Sequence, residues 1–160
     1  MNPALVLKPG PLAASDWDEV RRHPVVGAQL VEQFPSYALG ADYVRHHHEH
    51  WDGSGYPDGL AGAAIPLGAR VIAVADAFDA LISPRPFRPA LGVGMALHEL
   101  ERGAAETWDP EVVATMVALV RDDLARAAGD DARGIGSPLR PESLDALIGV
   151  PAPAMGAGGG

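Results

Sequence analysis

Cysteine is absent from the 160 residues. Disulfides, thiolate metal sites and cysteine nucleophiles are therefore excluded, and any metal must be held by nitrogen or oxygen donors. Aromatic residues make up only 6% of the chain. Positive charge is scarce as well. Twelve Lys and Arg stand against 21 Asp and Glu, for a formal charge of −9, so counterion release cannot drive unspecific binding to DNA or RNA. No apolar run approaches the ~18 residues of a membrane span, and the N-terminus lacks the basic-then-apolar order of a signal peptide. The expected location is cytoplasmic, with no membrane partner. What is present is 48% hydrophobic residues, enough for one domain with a core. That domain is expected over residues 1–126. Residues 127–160 turn to Gly, Pro, Ala, Asp and Ser and are expected to be a flexible, disordered tail, with a short amphipathic stretch at Leu144, Leu147 and Ile148.

Helical periodicity predicts an all-α fold. Ser15 with Asp18 reads as the N-cap and first turn of a short helix through Trp17 and Val20. Pro24 suits the first turn of the next helix and leaves His23 at a corner. Val26, Leu30, Val31 and Phe34 mark that helix's buried side, and Pro35 stops it. A third helix from about Leu39 carries Tyr43 and Val44 and delivers histidines near its end. After a Gly- and Pro-rich loop over 51–65, Pro66 opens a helix whose apolar positions Val71, Val74, Ala75, Phe78, Leu81 and Ile82 predict burial. Helices over about 93–102 and 110–126 complete the set, the last with Val112, Val113, Met116, Leu119 and Val120 inward.

The run His46-His47-His48-Glu49-His50-Trp51-Asp52-Gly53-Ser54-Gly55-Tyr56-Pro57 sets imidazoles and a carboxylate against a glycine-rich turn. Residues adjacent on a helix point ~100° apart, so His47 and His48 are expected to reach two neighbouring metals rather than share one. Glycine lets the following backbone approach an anionic ligand closely. The competing reading is a solvated histidine tract at a helix end. Asp76 is the second chemical landmark, since a carboxylate within Val71-Ile72-Ala73-Val74-Ala75-Asp76-Ala77-Phe78 is costly to bury without a metal or a partner such as Arg70.

Four segments, in order and spacing, resemble the HD-GYP family of metal-dependent cyclic dinucleotide phosphodiesterases: Arg21-Arg22-His23-Pro24-Val25-Val26-Gly27, the histidine run with its Gly-Tyr-Pro, the Ile65–Leu81 segment, and Arg85-Pro86-Phe87-Arg88. The resemblance also takes in Lys8-Pro9-Gly10 and Thr107-Trp108-Asp109-Pro110. It implies an HD-type helical bundle with two divalent metals, iron, manganese or zinc. On it, His23, His47, His48 and Asp76 match metal ligands, and Glu49 and Asp52 are expected to support and orient the imidazoles, a role such sites usually need. Tyr56, Arg85 and Arg88 match contacts to the substrate, cyclic di-GMP, which is opened to pGpG and then GMP. His46 and His50 match no ligand and are expected to be exposed, and His98 is expected to be structural.

The family's opening helices carry a His-Asp pair whose aspartate bridges the metals, and no His-Asp dipeptide occurs in this sequence. The resemblance therefore implies the later part of the domain, truncated at its N-terminus so that it begins just after that pair, with roughly half the protein donors and weak or absent hydrolysis by the chain alone. A separate N-terminal HD fragment is one implied partner. The alternative is a degenerate, non-catalytic signalling module that binds nucleotide, or a protein such as a diguanylate cyclase domain, through the Gly-Tyr-Pro loop. An unrelated metal hydrolase on an all-α scaffold is a third reading.

Overall fold

A computed structural model describes residues 13–84 and 88–132. Among these residues six α-helices make up the scaffold: α1 Ala14–Val20, α2 His23–Glu32, α3 Ala38–His46, α4 Leu67–Ile82, α5 Val93–Arg102 and α6 Pro110–Ala132. Short 3₁₀ turns at Pro35–Tyr37 and Gly62–Ala64 precede α3 and α4. There is no β-strand among the described residues, only isolated bridge positions such as the Ala104–Trp108 pair. The chain divides into two compact units, Met1–Val117 and Ala118–Gly160. Lys8, Arg85 and the expected amphipathic stretch at 144–148 lie outside the described residues.

In the first unit α2 packs on α3, α3 on α4, and α4 on α5. The seam between α2 and α3 is built from small residues. Ala28 and Ala41 are each 3% exposed, and a Cβ on Gly27 would sit 3.0 Å from Val44 Cγ1. Tyr43 lies so close to Gly68 that a Cβ there would meet its ring at 2.5 Å. Ile65, Ala69, Val74, Ala96, Leu97, Leu100, Val113 and Val117 complete the buried core. Close backbone approach replaces large side chains at the α2–α3 seam, so the inward face of α2 is Pro24 and Ala28. Val26, Leu30 and Phe34, expected to be buried, are 44%, 56% and 60% exposed.

Other expectations also need correcting. Ser15 does not cap α1, which begins one residue earlier; the Ala13 amide donates to Asp16 Oδ2 at 2.8 Å instead. Helix α4 is buried along one side only. Ala69 and Val74 face the core, while Leu67, Val71 and Ile72 are exposed. Asp76 and Ala75 lie on the exposed side too, so the cost of burying a carboxylate does not arise at Asp76.

The second unit, among described residues, is the outer part of α6, which runs six residues past the expected end at 126. Arg126 pairs with Asp122 and with Asp123, the spacing of ion pairs that support a helix from its own surface. Leu119, expected inward, is exposed.

Candidate metal centre

Pro24 sits in the first turn of α2, where a fixed φ and a missing N–H cost nothing, and this places His23 at the corner between α1 and α2. The other two imidazoles come from the end of α3. That helix stops at His46, and His47 is its C-cap at φ −69°, ψ −8°. Once the chain has left the helix, the ~100° divergence of neighbouring side chains no longer holds. The rings of His47 and His48 lie 4.1 Å apart, centroid to centroid, and those of His23 and His48 4.9 Å. One nitrogen from each of His23, His47 and His48 lies within 4.8 Å of the others. His47 and His48 thus line one cavity, as two imidazoles that reach neighbouring metal positions require.

Hydrogen bonds behind the rings fix which nitrogen faces the cluster. Val20 O accepts from His23 Nδ1 at 2.6 Å, and Val44 O accepts from His47 Nδ1 at 2.6 Å. A carbonyl can only accept, so in each neutral ring Nδ1 carries the proton and Nε2 presents a lone pair. His48 Nε2 stands 3.2 Å from His23 Nε2. Burial, reinforced by the imidazoles of His47, His23 and His50, holds the His48 pKa down at about 4, so the ring stays neutral and able to ligate. His23 and His47, each with Nδ1–H turned to a carbonyl, and the neutral ring of His48 beside them offer nitrogen donors that suit a divalent iron, manganese or zinc ion.

Asp76 lines a cavity of about 190 Å³ together with His47, His48, Ala73, Thr107 and Trp108. Its carboxylate is not among the atoms that converge with the three imidazoles.

The loop after the histidines is tied down by Glu49. This side chain is 3% exposed and accepts from the amides of Asp58 at 2.7 Å, Gly59 at 3.1 Å and Leu60 at 3.1 Å. Its carboxylate is thus spent on the loop, not on orienting imidazoles. Asp52 differs from its expected role as well, since it is exposed and closes its own turn by accepting from the Ser54 amide at 2.8 Å. Gly55 runs so close to the chain at Glu49 that a Cβ would sit 2.5 Å from Glu49 Cα. The loop returns to the cluster through the Tyr56 amide, which donates to His48 O at 3.1 Å, and the Tyr56 ring lies 5.0 Å from the His48 ring. Burial pushes the Tyr56 hydroxyl pKa up, Arg21 draws it partly back and Asp76 adds to the rise.

His46 is buried at 8% exposure, against expectation. Its Nδ1 donates to Asp42 O at 2.9 Å and its Nε2 lies 2.9 Å from Asp58 Oδ2. Arg45 grips the same Asp58 carboxylate with two hydrogen bonds at 2.7 and 2.8 Å, and this holds the Asp58 pKa down at about 2. His46, Glu49 and Asp58 also bring one donor atom each within 4.8 Å of the others. Their oxygens are already engaged by Arg45 and the loop amides, so this second group is a structural anchor. His50 is half-buried and its Nδ1 lies 2.9 Å from Ser54 Oγ. Arg88 donates to Ala80 O at 2.5 Å, closing the end of α4, and His98 is on the exposed side of α5.

Periodicity pointed to none of the anchoring pairs. Arg45 and Asp58 are thirteen positions apart across a loop. Arg70 and Asp109 pair at 2.6 Å over thirty-nine, with the Arg70 guanidinium also 5.7 Å from the Trp51 ring. The one local signal was Asp109-Pro110, an N-cap followed by a first-turn proline. Asp109 Oδ1 does accept from the Glu111 amide at 2.8 Å.

This helical scaffold carries a candidate metal-binding histidine cluster at a helix corner, the arrangement of an HD-type domain. Residues 3–112 match the HD domain family, and the chain belongs to that family, in its HD-GYP branch. It is 45% identical over 112 residues to the cyclic di-GMP phosphodiesterase response regulator RpfG of Xanthomonas campestris, covering 69% of this chain and 30% of the relative. Identity to the cyclic di-GMP phosphodiesterase of Thermotoga maritima is 35% over 131 residues, 79% of this chain and 36% of the relative. A 3'3'-cGAMP-specific phosphodiesterase 3 of Vibrio cholerae is 36% identical over 113 residues, 71% of this chain and 25% of the relative. The crystal structure of a cyclic GMP-AMP phosphodiesterase from V. cholerae shares the fold, with a TM-score of 0.58 at 19% identity over 86% of this chain and 35% of that one. The chain thus spans about a third of the length of the curated relatives it matches.

Proposed function

We propose that this chain contributes the histidine cluster and substrate loop of a metal-dependent phosphodiesterase whose substrate is cyclic di-GMP. The observation that carries the reading is the convergence of the His23, His47 and His48 nitrogens beside the Tyr56 loop. The names of the relatives from X. campestris and T. maritima support the substrate. His23, His47 and His48 would hold a divalent iron, manganese or zinc ion, with Asp76 on the wall of the same cavity. Such an ion, when bound, supplies Lewis acidity for attack on a phosphodiester. The Val20 and Val44 carbonyls keep the outward Nδ1 protons of His23 and His47 in place, so these two rings need no change of tautomer on binding. Arg88 has further N–H groups beyond the one on Ala80 for a phosphate oxygen, with Arg85 as its expected companion.

Three imidazoles can complete one ion but not two. The second ion of the family arrangement needs donors beyond this cluster, and the chain alone is therefore expected to turn over slowly. The same shortage supports the second reading, a module that binds nucleotide or a diguanylate cyclase domain without cleaving the nucleotide.

The test is release of pGpG from cyclic di-GMP by the purified chain loaded with manganese or iron, alongside metal content by elemental analysis. Slow, chelator-sensitive release that His48→Ala abolishes together with bound metal supports the phosphodiesterase reading. Stoichiometric metal with nucleotide binding but no release supports the non-catalytic one. Unchanged metal uptake after replacing all three histidines overturns both.

A further inference from the structure

A second depression shares Tyr56, whose ring lies 5.0 Å from that of His48 in the cluster. It is a groove of about 360 Å³ walled by Arg21, Arg22, Val25, Gln29, Tyr56 and Pro57, within the ~300–1,000 Å³ typical of small-ligand sites. Among the described residues neither Arg21 nor Arg22 makes an ion pair, although the chain as a whole carries a charge of −9. In so acidic a protein, two adjacent exposed guanidiniums without a carboxylate partner are placed for an external anion. The neighbouring depression on the other flank of Arg22 is lined by Asp18, Glu19 and His23. Its acidity directs an anion to the Tyr56 side. The rest of that wall offers an aromatic ring and a proline as an apolar platform, and a carboxamide that can both donate and accept.

We propose that this groove is a binding subsite for a purine nucleoside monophosphate unit: Arg21 and Arg22 take the phosphate, Tyr56 and Pro57 support the base, and Gln29 pairs with its edge. The assignment rests on the phosphodiester reading of the histidine cavity. Tyr56 belongs to both places, packed on His48 at 5.0 Å and forming the groove wall. A dinucleotide with one phosphate at the imidazoles would thus lay its other nucleotide along α2. Base stacking on an aromatic tolerates any base, so the choice of base falls to Gln29.

The experiment measures GMP, guanosine and inorganic phosphate binding to the full chain by calorimetry in the presence of a chelator, which removes any contribution from metal. Wild type, Arg21→Ala/Arg22→Ala, Arg21→Lys, Gln29→Ala and the distant surface variant Arg102→Ala are compared. Both arginines are exposed, so their removal leaves the fold intact, and circular dichroism checks this. The proposal expects GMP to bind at least tenfold tighter than either guanosine or phosphate. It expects the double alanine variant to lose at least tenfold in GMP affinity, Arg21→Lys to lose less, and Arg102→Ala to match wild type. Equal affinity of the double variant and wild type, no GMP binding by wild type, or phosphate binding as tightly as GMP each overturns it. Metal content is read in parallel. Metal uptake with arginine-independent GMP affinity defeats the groove and leaves the phosphodiesterase reading standing, whereas arginine-dependent GMP binding without metal uptake supports the groove and defeats that reading.

Discussion

Replacing Glu49 tests whether the loop that carries Tyr56 is held mainly by one buried carboxylate. Oε1 accepts from two amides, Asp58 and Gly59, and Oε2 from a third, Leu60. A hydrogen bond to a charged group contributes ~1.5–3 kcal/mol, so three set an upper bound of roughly 4–9 kcal/mol by simple addition of those values. Water lowers that figure, because Asp58 and Gly59 are exposed and their amides can be hydrated once the loop relaxes. Glu49→Ala is expected to destabilise the chain by ~3–5 kcal/mol. Glu49→Gln keeps the shape and one oxygen, so two amides stay paired, while its NH₂ faces the Leu60 N–H; ~1–2 kcal/mol is expected. The assay is urea unfolding, with the change taken from the midpoint at constant slope. Amide hydrogen exchange at Asp58, Gly59 and Leu60 localises the effect. A loss below about 1 kcal/mol for Glu49→Ala, or no faster exchange at those three amides, would refute the clamp.

Two further outcomes follow from the same loop. Arg45 depresses the Asp58 carboxyl to about 2 from its ordinary 3.8, so the pair's stabilisation is fully present above pH 3.8 and is lost as pH falls through about 2. Arg45→Met should narrow the stability difference between pH 5 and pH 2 relative to wild type in thermal melts, and an unchanged difference would count against the pair. Gly55→Ala should unseat the loop, because its Cβ would overlap the chain at Glu49 and His50. Gly94→Ala, with nothing within 4 Å and a place in α5, should be neutral or stabilise by roughly 0.5 kcal/mol. Equal melting temperatures for the two glycine variants would contradict the packing described.

The helices were legible in the sequence where local chemistry sets their limits. Pro24 and Pro66 mark the starts of α2 and α4, and α5 spans the expected 93–102. Which face each helix buries was less legible. The apolar stripe Val26, Leu30, Phe34 looked like the inner side of α2, but the helix turns Ala28 toward α3, because small residues there allow the backbones to approach. A hydrophobicity pattern counts large side chains and is blind to that gain. The histidines were visible as candidates, and the closeness of their nitrogens, within 4.8 Å of one another, depends on where α3 ends. One residue more of helix would have sent His47 and His48 in different directions. The anchors Arg45–Asp58 and Arg70–Asp109 join distant segments and leave no periodic trace.

The cluster and the loop cannot vary independently, because they share backbone. His48 supplies an imidazole to the cluster, its carbonyl accepts the Tyr56 amide, and the next residue, Glu49, clamps Asp58, Gly59 and Leu60. Gly55 lets the loop pass against Glu49 and so allows both connections at once. Any ligand or partner that moves the Tyr56 loop must therefore pull on the peptide that orients His48. The Tyr56 ring also lies 5.0 Å from the His48 ring and lines the Arg21–Arg22 groove, so the cluster and the groove share this side chain. The shared peptide at His48–Glu49 is a physical route by which occupancy of the groove and of the cluster would influence each other, in either the catalytic or the purely binding form of this domain.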